Sequence, residues 1–314
     1  MDKKIVFTRK PVIVGMTLIC CLLWGSAFPC IKIGYRLFHI SSGSTASQIL
    51  FAGERFLLAG IMAAAAGSLI QKKPLIPGRS CLPKVCILSL FQTILQYTFF
   101  YIGLSHTTGM KSSVITASNV FLSILVSVIV FRTEKLTLRK LLGCVLGFSG
   151  IILINLTGEN DLSMSFSGEG LVFLSALSYA FSASFTKRFS KTADPVLLSS
   201  WQFIIGGAAM ITAGLAAGGS HSSFTTAGTA MLLYLAFISA AAFSLWSILL
   251  KYNPVSSVSV FGFMNPVFGV ILSALLLSEK SAAGPLMIAS ALALITAGII
   301  TVNLTPAPKE EKNG

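Results

Sequence analysis

Among the side chains able to do chemistry, Arg55 comes first, because it sits inside a long apolar stretch beside Glu54. A charge at the middle of a membrane helix costs about 2.5 to 3.5 kcal/mol on insertion scales and is usually kept for a partner or a water-filled path. Arg55 is therefore a candidate for holding an anionic part of a solute, with a tie to a neighbouring helix as the alternative. Glu54 is a candidate proton or ion coupling site. Adjacent residues on a helix point about 100° apart, so the two need not pair with each other. Gln92 and Gln96 recur at a spacing of four, as do Tyr97 and Tyr101, which makes one polar and aromatic strip that lipid would not favour. Trp24 and Tyr179 fall mid-span, and with Trp246 they suit the wall of a solute cavity. Asn119, Gln202 and Asn265 are lone polar residues in apolar surroundings, read either as cavity contacts or as interhelical hydrogen-bonding groups. Pro29 and Pro266 each remove a backbone donor and mark candidate hinges.

The same inventory speaks against catalysis. The chain shows no paired carboxylates within a span and no nucleophile beside a base, and His39, His106 and His221 fall near predicted loops in unrelated contexts. No metal site, no cofactor and no phosphate-cradling glycine loop is expected. The cysteines Cys20, Cys21, Cys30, Cys81, Cys86 and Cys144 lack metal spacing and read as small apolar residues.

These residues are carried by elements that belong in a bilayer. The 314 residues are 54% hydrophobic and 11% charged, where soluble domains carry roughly a quarter charged residues. At about 20 residues per span, apolar stretches near 11–35, 48–70, 82–104, 112–131, 138–156, 169–188, 195–217, 227–250, 255–277 and 283–303 predict an all-α membrane protein of ten transmembrane helices. No connection is long enough for a soluble catalytic domain. The first stretch follows Lys3, Lys4, Arg9 and Lys10 but is too long for a signal core and lacks a cleavage pattern.

With the N-terminus inside, the cytoplasmic side collects all but five of the 23 Lys and Arg residues: Arg36, Lys111 and Lys280 fall outside, and Lys32 and Arg55 within spans. That is the positive-inside pattern. It predicts a multi-pass protein of the cell membrane with both termini cytoplasmic, and it explains the net charge of +13 without nucleic acid. Lys32 and Lys187, at matching span ends, read as interfacial anchors.

Internal repetition divides the chain. Glu134 and Lys135 recur as Glu279 and Lys280, GIILIN (150–155) recurs as GIITVN (298–303), Trp24 and Lys32 match the spacing of Tyr179 and Lys187, and Arg55-Phe56 matches Gln202-Phe203. An odd number of spans per half inverts the second, so residues 1–156 and 157–314 are expected to form two inverted five-helix repeats around a central site. Glu134 and Glu279 are expected to cap the helices that follow them. Gly143 and Gly147, and Ala289, Ala293 and Ala297, are expected to be close-packing seams of the fifth and tenth spans.

The stretches LLWGSAFPCIKIG and ERFLLAG, with the two Glu-Lys pairs, resemble the EamA branch of the drug/metabolite transporter superfamily, and the resemblance covers nearly the whole chain. It implies a secondary transporter of a small metabolite working by alternating access, amino acids or related compounds being the first candidates and efflux the favoured direction. It also implies a cavity between spans 1–4 and 6–9, with spans 5 and 10 peripheral. Phe121 stands where the family often has a proline, so the fourth span is expected to be less kinked than the ninth. The partners expected are the solute and the lipid bilayer, with a homodimer possible; a non-transporting scaffold or receptor, or an intramembrane lipid-modifying enzyme, is the alternative. Reporter fusions placed after Lys191 are expected to read cytoplasmic, and fusions near Asp161 external; a cytoplasmic signal at Asp161 would overturn the orientation.

Overall fold

Helix ends follow from local chemistry. The computed structural model describes residues 3–41, 43–104, 106–107, 109–155, 165–221, 224–277 and 285–304. Helix α1 (Lys10–Leu37) carries Pro11 in its first turn, where the missing N–H costs nothing, and runs unbroken past Pro29. Helix α2 (Thr45–Gln71) stops at Lys72, which adopts the left-handed conformation at φ 52°. Helix α3 (Leu82–Leu104) contains a π-helical stretch, Ser89–Leu95. Helix α4 comprises Gly109–Ala117, Asn119–Leu125 and the π turn Val126–Val130. Then come α5 (Leu138–Asn155), α6 (Leu171–Phe189, preceded by the π turn Phe166–Gly170), α7 (Pro195–Ala216) and α8 (Thr226–Tyr252). Asp194 caps α7 by accepting from the N–H groups of Val196 (2.9 Å) and Leu197 (3.0 Å), and Thr225 caps α8 by accepting from Gly228 N at 3.0 Å. Helix α9 joins Val255–Ser259, the 3-10 stretch Val260–Phe263 and Met264–Leu277; α10 is Pro285–Asn303. The described residues contain no strand, and 7 of the helices are long and apolar enough to cross a membrane.

Two kinks differ from expectation. Helix α4 lacks a proline yet breaks at Ser118, whose hydroxyl donates to Ile115 O at 2.6 Å, while Ser123 donates back to Asn119 O and Ser127 to Ile124 O. Such back-bonding competes with the helix ladder and bends it. Pro266 lies in the first turn of Met264–Leu277, so the irregularity in α9 sits upstream, in the 3-10 stretch.

Packing is closest where small residues meet. Helices α2 and α7 run antiparallel and nearly touch backbone to backbone: a Cβ on Gly53 would lie 2.9 Å from Gly207 O, and one on Gly60 would lie 2.6 Å from Ser200 O. Between them Phe56 stacks on Phe203 with centroids 5.1 Å apart and planes at 5°. Helices α5 and α10 repeat the arrangement, Gly143 against Gly298 O (2.7 Å) and Gly150 against Ala291 O (2.8 Å). Gly147 instead faces the Phe263 ring of α9. The α10 seam therefore consists of Ala291, Ile295 and Gly298; Ala289, Ala293 and Ala297 are exposed, because the seam expected from sequence follows the wrong stripe of the helix. Helix α1 packs on α8 and α9, with Cys20 Sγ donating to Ala242 O and Cys21 Sγ to Phe261 O, while α6 packs on α3 and α4.

Polar ties close the ends of the bundle. Glu134 does not cap the helix that follows it. Its carboxylate accepts from Lys140 Nζ at 2.7 Å and from the backbone N–H (3.2 Å) and hydroxyl of Ser256, so it caps the start of α9. Glu279 lies outside the described residues. The Lys187 ammonium donates to Asn253 O at 2.5 Å, which makes it a strut between α6 and the α8–α9 turn as well as a surface charge. At the other end Glu169, ahead of α6, accepts from Ser165 N (2.8 Å), Thr107 Oγ1 (2.5 Å) and Ser165 Oγ (3.2 Å).

Two predictions follow from these contacts. Gly53→Leu or Gly60→Leu must push α2 off α7, because the obstructing atoms are backbone; overpacking of this kind should cost about 3 kcal/mol or more, read as a fall in the thermal transition, whereas Ala293→Leu on the exposed face should leave it near the parent. The hydrogen bonds to Glu169, chiefly from Ser165 and then Thr107, hold its carboxyl below the ordinary 4.5, at about 2. A carboxyl lowered on folding contributes stability above its unfolded value and loses it as pH falls through the folded one. Glu169→Gln should therefore melt earlier than the parent at neutral pH, and melting curves should converge as pH drops from 4.5 towards 2.

Candidate substrate-binding site

The centre of the bundle is built around Arg55. It is 3% exposed, and its Nε and Nη2 both donate to Ser239 Oγ of α8, at 3.0 and 2.9 Å. The Ser239 hydroxyl in turn donates a hydrogen bond to Leu235 O at 3.2 Å. The guanidinium lies 5.1 Å from the centroid of the Phe56 ring, an arrangement that stabilises a cation electrostatically. Lys140 pairs with Glu134 and His221 lies against Glu54, and among the described residues no carboxylate pairs with Arg55.

Aromatic rings wall this charge. Phe56 is flanked by Phe203 and by Tyr97, the latter at 4.4 Å, and Tyr97 neighbours Tyr101 at 6.4 Å. The charge of Arg55 reaches Tyr35, Tyr97 and Tyr101. Trp24 meets Phe243 at 5.0 Å and Trp246 at 4.9 Å, both edge-on, and Phe243 in turn meets Phe203. Tyr179 from α6 lies beside Trp246 and within electrostatic reach of Tyr97. Six helices, α1, α2, α3, α6, α7 and α8, thus meet at one aromatic chamber.

One buried donor there, Trp24 Nε1, has no hydrogen-bond partner, whereas Tyr35 Oη lies against Tyr101 and Trp246 Nε1 against Tyr179; Gln96 Oε1, on α3, is also buried without a partner. Buried donors and acceptors are normally paired, because leaving one unmade costs about 1 to 3 kcal/mol. An open indole N–H near a guanidinium that no carboxylate neutralises suits a solute with an anionic group and an apolar body.

The structure sorts the candidates read from the sequence. Trp24, Arg55, Tyr97, Tyr101, Tyr179 and Trp246 come together, and Gln96 precedes Tyr97 on α3 with its Oε1 buried and unpaired. Gln202 is wholly buried; its Oε1 accepts from Thr93 Oγ1 at 2.5 Å and its backbone O accepts from Ser89 Oγ at 2.6 Å, tying α7 to the π stretch of α3, while its Nε2 has no partner. Gln92 is buried in the same π stretch. Asn119 stands beside Gly262 at the α4–α9 contact, and Asn265, on α9, has its Oδ1 buried without a partner. Pro29 is buried within α1. Glu54 leaves the chamber altogether, its Oε1 lying 3.0 Å from His221 Nε2 in a cleft on the flank. Sequence reasoning missed Tyr35, Ser239, Phe243 and the partnership of Phe56 with Phe203. Ser239 sits in an ordinary small-residue run, and only the packing of α8 on α2 distinguishes it.

Comparison with known proteins agrees with this architecture. A family model described as the EamA-like transporter family matches residues 12–156 and 166–304. An uncharacterized transporter of Archaeoglobus fulgidus is 26% identical over 63% of this chain and 64% of its own length. The uncharacterized transporter YvbV of Bacillus subtilis is 24% identical over 96% of this chain and 93% of its own, and a "Probable amino-acid metabolite efflux pump" of Escherichia coli is 26% identical over 84% and 87%. A solved crystal structure shares the fold at a TM-score of 0.76 and 16% identity, covering 94% of this chain and 98% of that one. With membrane-length helices, a polar and aromatic centre and a family match over nearly its whole length, the chain belongs to the EamA-like transporter family.

Proposed function

We propose that this protein is a secondary transporter of a small organic anion or zwitterion with an apolar body, an amino acid or related metabolite, held at Arg55 and moved by alternating access. The observation that carries the reading is a buried guanidinium whose hydrogen-bonded partner is a neutral hydroxyl, set among aromatic faces with the open Trp24 indole N–H close by. Ser239 engages Nε and Nη2 on one side of the fork and so fixes its plane; the remaining N–H groups are free to take a carboxylate. Exclusion of water strengthens that contact, and the rings of Trp24, Tyr97, Tyr101 and Trp246 receive the apolar part. The relative in Escherichia coli named as an efflux pump for amino-acid metabolites supports this class of solute and the outward direction.

Alternating access requires two halves able to rock. Residues 1–156 and 157–314 are read as inverted five-helix repeats, ten spans in all. The contacts support this by mapping onto themselves when the halves are exchanged. Phe56 and its counterpart Phe203 touch each other; Gly53 on Gly207 becomes Gly60 on Ser200; Gly143 on Gly298 becomes Gly150 on Ala291. Even the polar tie of Arg55 to Ser239 on α8 becomes that of Gln202 to Thr93 on α3. On this reading an axis between the Phe56 and Phe203 rings, in the plane of the membrane, relates the halves, and the distribution of basic residues supports both termini in the cytoplasm of a cell whose plasma or inner membrane holds the protein.

In proteoliposomes, Arg55→Gln should fold, since glutamine serves at the equivalent place in the second half, yet lose at least tenfold of carboxylate flux, as expected for a charge-assisted bond of about 1.5 to 3 kcal/mol. Arg55→Lys, which keeps the charge and loses the fork, should fall between. Parental flux in Arg55→Gln would sink the reading. Unfolding of both variants would assign Arg55 to helix tying alone.

A further inference from the structure

On the flank of the bundle, away from the aromatic chamber, a cleft of about 340 Å³ opens between α2, α7 and the first turns of α8. Its walls are Leu57, Ile211, Leu232 and Leu233, with Phe224 closing one end. Into these apolar walls the fold sets one carboxylate, Glu54. Its Oε1 is oriented by His221 Nε2 at 3.0 Å, and the imidazole is itself held by the edges of Phe38 (5.1 Å) and Phe224 (5.4 Å). Its Oε2 is buried and has no hydrogen-bond partner.

We propose that this cleft binds a hydrophobic ammonium, with the cationic nitrogen donating to Glu54 and the apolar body lying along Leu57, Leu232 and Leu233. Charge complementarity selects the occupant. An acyl chain would fill the apolar walls and leave the open carboxylate oxygen unmatched, whereas a protonated primary amine satisfies it with a charge-assisted hydrogen bond. The volume lies at the small end of ligand cavities, which suits an amine bearing one ring or a short chain. His221 acts as a positioning residue, fixing one carboxylate oxygen and leaving the other, just beneath the cleft wall, without a partner. The site is separate from Arg55, whose guanidinium turns instead to Ser239.

The test is calorimetric titration of the full chain in nanodiscs with 2-phenylethylammonium and its neutral isostere 2-phenylethanol, in neutral buffer where the amine is protonated. The ammonium is expected to bind at least about tenfold tighter than the alcohol, and Glu54→Gln to remove that preference while leaving the alcohol within about threefold, the difference being one charge-assisted bond. Leu233→Trp, which fills the mouth, should weaken both probes. Equal affinity for the two probes would show an apolar groove suited to lipid and overturn the proposal, as would undiminished ammonium binding in folded Glu54→Gln. Should Glu54→Gln fail to fold, Leu233→Trp decides: ammonium affinity unchanged in that variant places the amine elsewhere and overturns the assignment.

Discussion

The closest approach in the molecule is that of α2 to α7, where Gly53 and Gly60 let one backbone lie against the other. In a bilayer, lipid tails are as apolar as the side chains, so helices associate through van der Waals fit and polar ties and gain little from burying apolar surface. A seam without side chains maximises that fit. It also sets the depth at which everything else on α2 and α7 appears: Phe56 is brought onto Phe203, Arg55 is turned to Ser239, and Gln202 is turned to Thr93. Helices α5 and α10 form a second such seam, and Phe263 against Gly147 couples it to α9.

Polar residues inside the bundle do two different jobs. Gln202, Thr93 and Ser89 bond chiefly to each other and hold α7 to α3. Arg55 and Ser239 hold α2 to α8 in the same manner, but a guanidinium has more donors than one hydroxyl can accept, and its charge is balanced by no carboxylate among the described residues. Gln202 also keeps an unpaired donor, Nε2, so what sets Arg55 apart is its charge, with the open Trp24 indole close by.

At the ends of the bundle, connections are bonded to helices far away in sequence. Glu134 joins the α4–α5 connection to the start of α9, Lys187 joins α6 to the α8–α9 turn, and Ser220 N donates to Ser47 Oγ at 3.1 Å, fastening the α7–α8 connection to α2. The Glu134 and Ser47 bonds cross between the first and second halves of the chain, while the Lys187 bond lies within the second.

What was legible in the sequence is what depends on solvent and on chain direction. Apolar length gave the helices to within a few residues at most ends, since a span must satisfy its own backbone hydrogen bonds in lipid. Arg55, Trp24, Tyr97, Tyr101, Tyr179 and Trp246 were recognisable because polar and aromatic groups at mid-span are rare enough to ask for a reason. Tertiary structure alone decided which stripe of each helix faces which neighbour. A helix that is apolar all round carries no amphipathic signal, so Ala289, Ala293 and Ala297 looked like a seam and are exposed, while Ile295 and Gly298 form it. For the same reason the bond of Gln202 to Thr93 could not be foreseen, Glu134 was matched to the following helix and caps α9, and nothing in the sequence paired His221 with Glu54, which lie 167 positions apart and meet only because α7 returns beside α2.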